Sequence, residues 1–348
     1  MKITRTARLE FGEQLPAFVE SVRNFNAACN WLSGIAFAEA LWHWCPLQKR
    51  GYRELRDNFG LCSKEAVVAV RKVAYAYRNK ARRRRQAHFR SLGAIPIYGH
   101  AYKRDGTIRF YGFRIPFLAA KGMMFSSKSQ AIVSIRRNKV VLFQPIEIEE
   151  MRESRVDEWL GVDLGVVNIA MDSDGEPFSG AHTNGLRGRH VRLRRRLQKV
   201  GSQSARRLLK KRSGRESRFT RCINHGISKR LVAKAHGSGR GIALEDLKGI
   251  RSRIKARRAQ RGVLHSWSFA QLRGFIEYKA KLKGVPVLTV DPRNTSRTCP
   301  ECGHISKMNR PTRDRFKCVV CNYAGCADHI AAENISRAAG NRPYAVAS

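Results

Sequence analysis

The sequence predicts an α+β chain of two or three domains, and three observations support that prediction. Segments of alternating polarity flank a long stretch with helical periodicity, so a β module is expected to contain an inserted helical block. Two later apolar runs each end in an acid, as buried strands of an α/β domain often do. Paired cysteines near the C-terminus predict a small metal-binding insert.

The first half of the chain is predicted to begin with a strand and continue into helices. Residues 2–11 alternate loosely in polarity, which predicts the strand. From Leu15 apolar residues recur at helical spacing, and the helix is expected to end near Pro46. A second helix is predicted from Ser63, as its N-cap, with Glu65 nearby.

A period of two returns after the helical block. It predicts strands over residues 107–116, 131–136 and 139–143. With a turn at residues 137–138, these strands are expected to form a small antiparallel barrel or sheet that the first strand joins.

A second domain, of the α/β type, is predicted from about Trp159. Residues 160–172 predict a β-hairpin, with Asp172 and Asp174 as turn residues. The remaining predicted elements, in chain order, are exposed basic helices over 187–221, a strand over 241–245, a helix over 268–284, a strand over 285–290 and a helix carrying 331–335.

The charge of the chain predicts a polyanionic partner. Its 348 residues include 68 Lys and Arg against 27 Asp and Glu, a formal net charge of +41. Basic runs at residues 82–85, 187–221 and 251–261 favour nucleic acid, although a charge run is more often a solvated face. The sequence contains no long apolar span, so it does not indicate a membrane partner. No secretory signal is evident, so we expect a cytoplasmic protein.

The cysteines predict structural zinc. Cys299, Cys302, Cys318 and Cys321 have the spacing C-x2-C-x15-C-x2-C, which can close a tetrahedral site with no open position. Residues that tolerate unusual backbone angles, Gly303 and Asn322, follow the two pairs. The alternative is four unrelated cysteines. Nine cysteines in all, an odd number, favour a reducing compartment over a disulfide framework.

Three acids predict a second metal site. Asp163 and Glu245 each end a predicted buried strand, and Asp328 follows the cysteines. Hydrolysis of a phosphodiester by two hard cations needs carboxylates that converge from separate elements. Asp246 is the rival to Glu245, but alternation along the strand points it to the opposite face.

An ATPase of the actin-like and sugar-kinase fold is one alternative, because it also opens with a motif such as Gly161-Val-Asp-Leu-Gly165. Small hydroxyl residues that cradle phosphate usually follow that motif, whereas Val166 and Val167 follow here. Neither the cysteine pattern nor the charge suits a metabolite kinase.

Residues 159–338 carry ordered motifs that resemble the transposon-encoded TnpB family, considered ancestral to the type V CRISPR effectors. The motifs are Gly161-Val-Asp-Leu-Gly-Val-Val-Asn-Ile-Ala, Leu244-Glu-Asp-Leu, Glu277-Tyr-Lys-Ala, Pro292-Arg-Asn-Thr-Ser-Arg-Thr-Cys-Pro-Glu-Cys-Gly and Ala327-Asp-His-Ile-Ala-Ala-Glu-Asn-Ile. The N-terminal half is similar in layout only.

The resemblance implies a domain plan for the whole chain. It comprises a wedge β-barrel (1–12 and 95–150), a helical recognition lobe (13–94), an RNase H-like (RuvC) α/β nuclease domain (159–295 and 324–340), a zinc-binding target-nucleic-acid-binding insert (296–323) and a tail (341–348).

The resemblance also implies an activity, that of an RNA-guided DNA endonuclease cutting both strands beside a short duplex motif. Asp163, Glu245 and Asp328 match the family's catalytic acids and would hold Mg²⁺ or Mn²⁺, while the four cysteines would hold Zn²⁺. The implied partners are a guide RNA, double-stranded target DNA and a transposase of the same element. The implied location is the nucleoid of a prokaryotic cell. Ile330 departs from the family, which commonly has Asn there.

Two other functions remain open. One is an RNA-guided DNA-binding repressor of the same family with weakened catalysis. The departure from the family at Ile330 leaves this alternative open. The other is a zinc-ribbon DNA-binding protein that assists transposition without a guide.

Overall fold

The computed structural model describes residues 1–103, 105–120, 123–136, 139–212, 214–247 and 269–341. The chain divides into two compact units, residues 1–149 and 150–348. The predicted turn at 137–138 and the predicted basic loop at 251–261 lie outside the described residues.

The first unit contains a seven-stranded antiparallel sheet in the order β2-β6-β7-β1-β5-β4-β3. Its strands are β1 (Lys2–Leu9), β2 (Ile95–Ile97), β3 (Ala101–Tyr102), β4 (Thr107–Phe110), β5 (Phe113–Leu118), β6 (Ala131–Arg136) and β7 (Lys139–Glu147). The first strand joins this sheet, as predicted. It lies mid-sheet and pairs along its length with β7. The single strand predicted over 107–116 is wrong, because Gly112, with φ of +81°, turns the chain into a hairpin.

Three helices separate β1 from the rest of this sheet: α1 (Leu15–Ala38), α2 (Trp44–Asp57) and α3 (Ser63–Ala76). The prediction of one helix ending near Pro46 is wrong. Pro46 lies in the first turn of α2, where the missing N–H breaks no helical hydrogen bond. The N-cap of α3 is Cys62 rather than Ser63, and its backbone N–H donates to Glu65 at 2.9 Å. These helices and the sheet share one hydrophobic core.

The second unit contains a five-stranded sheet in the order β10-β9-β8-β11-β12. Its strands are β8 (Trp159–Asp163), β9 (Asn168–Asp172), β10 (Pro177–Ser179), β11 (Gly241–Glu245) and β12 (Val287–Val290). The first three form an antiparallel meander, whereas β11 and β12 run parallel to β8. The mixed sheet confirms the predicted hairpin and adds β10.

The described part of the second unit also contains five α-helices and a short hairpin. They are α4 (Ala181–Val200), α5 (Gln203–Arg212), α6 (Arg215–Gly237), α7 (Phe269–Lys281), the hairpin strands β13 (Arg315–Lys317) and β14 (Ala324–Cys326), and α8 (Ala327–Gly340). The predicted basic helices over 187–221 correspond to α4, α5 and the start of α6. In the described part of the chain, no helix has the length and apolar character needed to cross a membrane.

Asp172 is more than the predicted turn residue. It is the last residue of β9, is fully buried, and accepts a hydrogen bond from the Lys234 ammonium at 2.6 Å. Its carboxylate also accepts from the backbone N–H groups of Asp174 and Glu176, at 3.1 and 2.8 Å. Lys234 on α6 thereby ties that helix to the end of the hairpin.

Candidate functional site

Asp163 and Glu245 lie at the ends of two neighbouring parallel strands. The register of β8 and β11 pairs Val162 with Leu244, so the acids that follow come side by side at the carboxyl edge of the sheet. Both strands are otherwise buried, and both acids are partly exposed. Ligands of open α/β sheets bind outside this edge.

Helix α8 brings the third acid to the same edge. Gly161 allows the close approach, because a Cβ atom there would lie 2.0 Å from the Ala332 carbonyl oxygen. The Ser336 hydroxyl donates to the Trp159 carbonyl at 2.6 Å and fixes the helix against β8. Asp328 lies in the first turn of α8, so the helix is docked with this acid at the site.

The three carboxyl groups interact electrostatically. Burial, the charge of Glu245 and the charge of Asp328 together raise the pKa of Asp163 from 3.8 to about 7, while Arg310 opposes the rise. Burial also raises the pKa of Glu245. The site therefore resists full ionisation unless a cation compensates its negative charge.

Polar neighbours orient two of these carboxylates. The Asn168 amide donates to Asp328 Oδ2 at 2.9 Å, and the Arg310 guanidinium lies 3.4 Å from Asp328 Oδ1. The Thr295 hydroxyl donates to Glu245 Oε1 at 2.5 Å and lowers the pKa of that acid. Sequence reasoning missed all three contacts, because they join residues far apart in the chain.

Asn334 anchors the loop that carries Thr295. Its side-chain amide, on α8, donates to the carbonyl oxygens of Thr295 and Thr298, both at 2.8 Å. The helix that carries Asp328 therefore also holds the backbone whose hydroxyl contacts Glu245.

Asp246 and Ile330 have other surroundings. Asp246 accepts a hydrogen bond from Arg273 at 3.3 Å. Ile330 is buried in a small apolar cluster with Phe316 and Ala327. The side-chain amide that contacts Asp328 belongs to Asn168, the first residue of β9 in the meander.

The four cysteines form a compact cluster. Their sulfur atoms all lie within 4.8 Å of one another, with Cys299 and Cys318 buried and the other two exposed. The closest pairs, Cys299 with Cys321 and Cys302 with Cys318, are both 3.5 Å apart. A tetrahedron of Zn–S bonds of about 2.3 Å places sulfurs about 3.8 Å apart, so the cluster could bind zinc.

The turns of the cluster have the backbone geometry that its sequence predicts. Gly303 and Asn322 both have positive φ, +73° and +61°. Asn309, fully buried, donates to the carbonyls of Arg297 and His304 and accepts from the Val319 N–H at 3.0 Å. It links the first cysteine turn to the second.

The three acids are spread more widely than the cysteines. Within the described ranges, the four cysteines form a group of potential metal ligands whose donor atoms all lie within 4.8 Å of one another, and the three acids do not form such a group. Hard carboxylates around an opening suit divalent cations such as Mg²⁺, and two cations roughly 4 Å apart need ligands spread over a wider site.

Comparisons with known proteins place the chain in a family. The family model of the Cas12f1-like TNB domain matches residues 269–335, which include Thr295, the four cysteines and Asp328. The candidate RNA-guided DNA endonuclease InsQ of Escherichia coli (strain K12) is 30% identical over 283 residues, 71% of this chain and 69% of InsQ.

Two further relatives match smaller parts. CRISPR-associated endodeoxyribonuclease Cas12f1 of Sulfoacidibacillus thermotolerans is 32% identical over 240 residues, 60% of this chain and 53% of that protein. A TnpB-like protein of Methanocaldococcus jannaschii is 39% identical over 129 residues, 37% of this chain and 46% of that protein. The chain thus spans about half the length of these two relatives. Because InsQ is 30% identical and aligns over more than two thirds of both proteins, and because a TnpB-like protein also matches, this chain belongs to the TnpB family.

Proposed function

We propose that this protein is an RNA-guided DNA endonuclease with a RuvC-like, divalent-metal-dependent site. The observation that carries the proposal is the meeting of Asp163, Glu245 and Asp328 at one sheet edge, where mutual charge and burial raise the pKa of Asp163. The meander followed by two parallel strands is the arrangement expected of an RNase H-like domain. The name of the matched Cas12f1 relative, an endodeoxyribonuclease, supports the reaction class.

In this proposal each side chain has a defined part in phosphodiester hydrolysis. Asp163, Glu245 and Asp328 hold the cations. Asn168 and Thr295 donate to two of the carboxylates and keep their remaining lone pairs directed into the site. The bound Mg²⁺ or Mn²⁺ would supply activation of the attacking water and stabilisation of the leaving oxygen.

Sequence specificity would come from pairing between a guide RNA and one DNA strand. The protein would recognise the shape of the heteroduplex and a short duplex motif beside it. The net charge of +41 supports binding to both RNA and DNA through phosphate contacts. We assign the sheet of the first unit to a wedge, its three helices to a recognition lobe, and a transposase of the same element to a further partner.

Substitution of neighbouring acids tests the proposal. Glu245→Gln should abolish cleavage of a matched DNA target by the purified ribonucleoprotein in Mg²⁺, while guide binding is retained. Asp246→Asn is the matched control, since Asp246 faces Arg273, and it should still cut. Cleavage by the Glu245→Gln variant at the wild-type rate would contradict the assignment of the site.

A catalytically weakened, RNA-guided repressor is the second candidate, because Ile330 packs into an apolar cluster where the family commonly has Asn. The two functions differ in a nicking assay. The endonuclease cuts both strands of a supercoiled target when Mg²⁺ is added to zinc-loaded protein, whereas the repressor binds the same target and leaves it intact.

We propose that the cysteine cluster holds structural zinc. Metal analysis of the purified chain should give one zinc per molecule, and Cys302→Ser should lose it together with thermal stability. Cys326→Ser is the control, because Cys326 is exposed close by in sequence but outside the cluster. Equal zinc content in the two variants would contradict the assignment.

A further inference from the structure

The helices of the first unit expose aromatic residues in a basic groove. Trp44 exposes 41% of its surface and Tyr75 exposes 70%, which is unusual for rings of that size. A groove of about 520 Å³ is lined by Trp42, His43, Trp44, Arg71, Ala74, Tyr75, Arg78 and Arg83. We call it the aromatic groove; it contains three arginines and no acid.

The arginines of the aromatic groove lie over its rings. The Arg71 guanidinium is 5.6 Å from the centre of the Trp44 ring, and Arg83 is 5.5 Å from that of Trp42. Neither Arg71 nor Arg78 forms an ion pair with an acid in the described ranges. Flat rings beside uncompensated guanidinium groups suit a ligand that is both planar and anionic.

A second groove, of about 650 Å³, adjoins the first at Trp44 and follows α2. It presents Lys49 and Arg53, while its Arg50 is neutralised by Glu39 and Glu54 at 3.1 and 3.2 Å. Trp44 lines both grooves, so basic side chains of each groove flank one ring. Two basic grooves that share a ring suit a strand rather than a free nucleotide.

We propose that the aromatic groove holds an unpaired segment of the guide RNA, with Trp44 and Tyr75 stacked on its bases and Arg71 and Arg78 close to its phosphates, and that this segment continues past Lys49 in the second groove. This inference rests on the proposed function. Structured RNA offers splayed bases in loops and bulges, whereas the bases of duplex DNA are already stacked on each other. A second copy of the chain is a poor occupant, because its own net charge of +41 would repel this surface.

Paired substitutions separate stacking from shape and charge. Trp44→Phe with Tyr75→Phe keeps both rings, while Trp44→Leu with Tyr75→Leu keeps apolar side chains without them. Each full-length double variant is bound to the RNA that copurifies with the wild-type chain, at moderate and at high salt. For each base that loses its stacking partner, the Leu pair should bind the RNA roughly 5- to 150-fold more weakly than the wild type does. The Phe pair should bind it with close to wild-type affinity.

Salt dependence adds a second readout. The loss in the Leu pair should persist at high salt, because stacking is not screened, whereas the loss from Arg71→Gln should shrink. Ultraviolet crosslinking of the wild-type complex should attach nucleotides to the peptides that contain Trp44 or Tyr75.

The outcomes distinguish this inference from the proposed function. If no RNA copurifies with the chain, the proposed function and the groove assignment both fail. If RNA copurifies and the Leu and Phe pairs bind it equally, the groove assignment alone is overturned. The assignment is also overturned if the Leu pair loses binding to duplex DNA but not to RNA.

Discussion

Gly161 on β8 lies so close to Ala332 on α8 that a methyl group on Gly161 would stand 2.0 Å from the Ala332 carbonyl oxygen. The obstacle is backbone, which cannot rotate away as a side chain can. This contact sets the distance between the strand that ends in Asp163 and the helix that begins with Asp328.

Gly161→Ala should therefore damage both stability and the site. We expect a loss at the upper end of roughly 1–3 kcal/mol, or more, because the helix must be displaced. Thermal and urea unfolding measure the loss, and DNA cleavage should fall with it. Gly226→Ala is the control: Gly226 lies within α6 with open space around it, so alanine should raise stability by about 0.5–1 kcal/mol.

Thr295→Val should shift the pH dependence of cleavage. The hydroxyl favours the ionised form of Glu245, so its loss raises the pKa of that acid and moves the acidic limb of the pH–rate profile upward. A hydrogen bond to a charged acceptor contributes roughly 1.5 kcal/mol or more, so the upward shift should be resolved in the profile.

Asn334 holds the Thr295 backbone, so the loop should stay in place in this variant. Thr295→Ser keeps a hydroxyl and should restore the wild-type profile. An unchanged profile in the valine variant would show that the hydroxyl does not act on the reacting carboxylate.

Asp163→Asn should stabilise the zinc-loaded protein when Mg²⁺ is absent. The pKa of Asp163 is raised from 3.8 to about 7 on folding, so between these values the folded chain holds a proton that the unfolded chain has lost. Stability consequently falls as pH rises through this window, and the penalty is complete above pH 7. Asparagine removes it.

Calorimetry would measure the effect as a difference in melting temperature. At pH 8 the variant should melt roughly 5 °C higher than the wild type, and the difference should vanish near pH 4. Added Mg²⁺ should stabilise the wild type and leave the variant little changed. A variant that melts lower than the wild type at pH 8 would refute this account of the site.

Lys234→Met should destabilise the second unit, because it leaves the fully buried Asp172 without its cation. Since Lys234 is itself 28% exposed, we expect a loss near the lower end of roughly 3–5 kcal/mol in urea unfolding. The double variant Asp172→Asn with Lys234→Met should recover part of it. Additive losses in the double variant would show that the two charges do not depend on each other.

The one-dimensional pattern was sufficient for much of the architecture. Alternation predicted β1, continuous apolar runs predicted β8 and β11, and the cysteine spacing predicted a cluster whose sulfurs meet in space. Periodicity and ligand spacing are local properties, so neighbouring residues carry them. The end of α1 was mispredicted at Pro46, because the same residue that interrupts a helix also suits the first turn of one.

The order of amino acids was enough to show which acids end which strands, where the cysteine turns lie, and that the chain belongs with TnpB. The folded chain was needed to show that Asn168 contacts Asp328, that Thr295 contacts Glu245, and that Asp172 is buried against Lys234. These pairs are separated by 160, 50 and 62 residues along the chain. No local pattern records such contacts, since the packing of α6 and α8 against the sheet creates them.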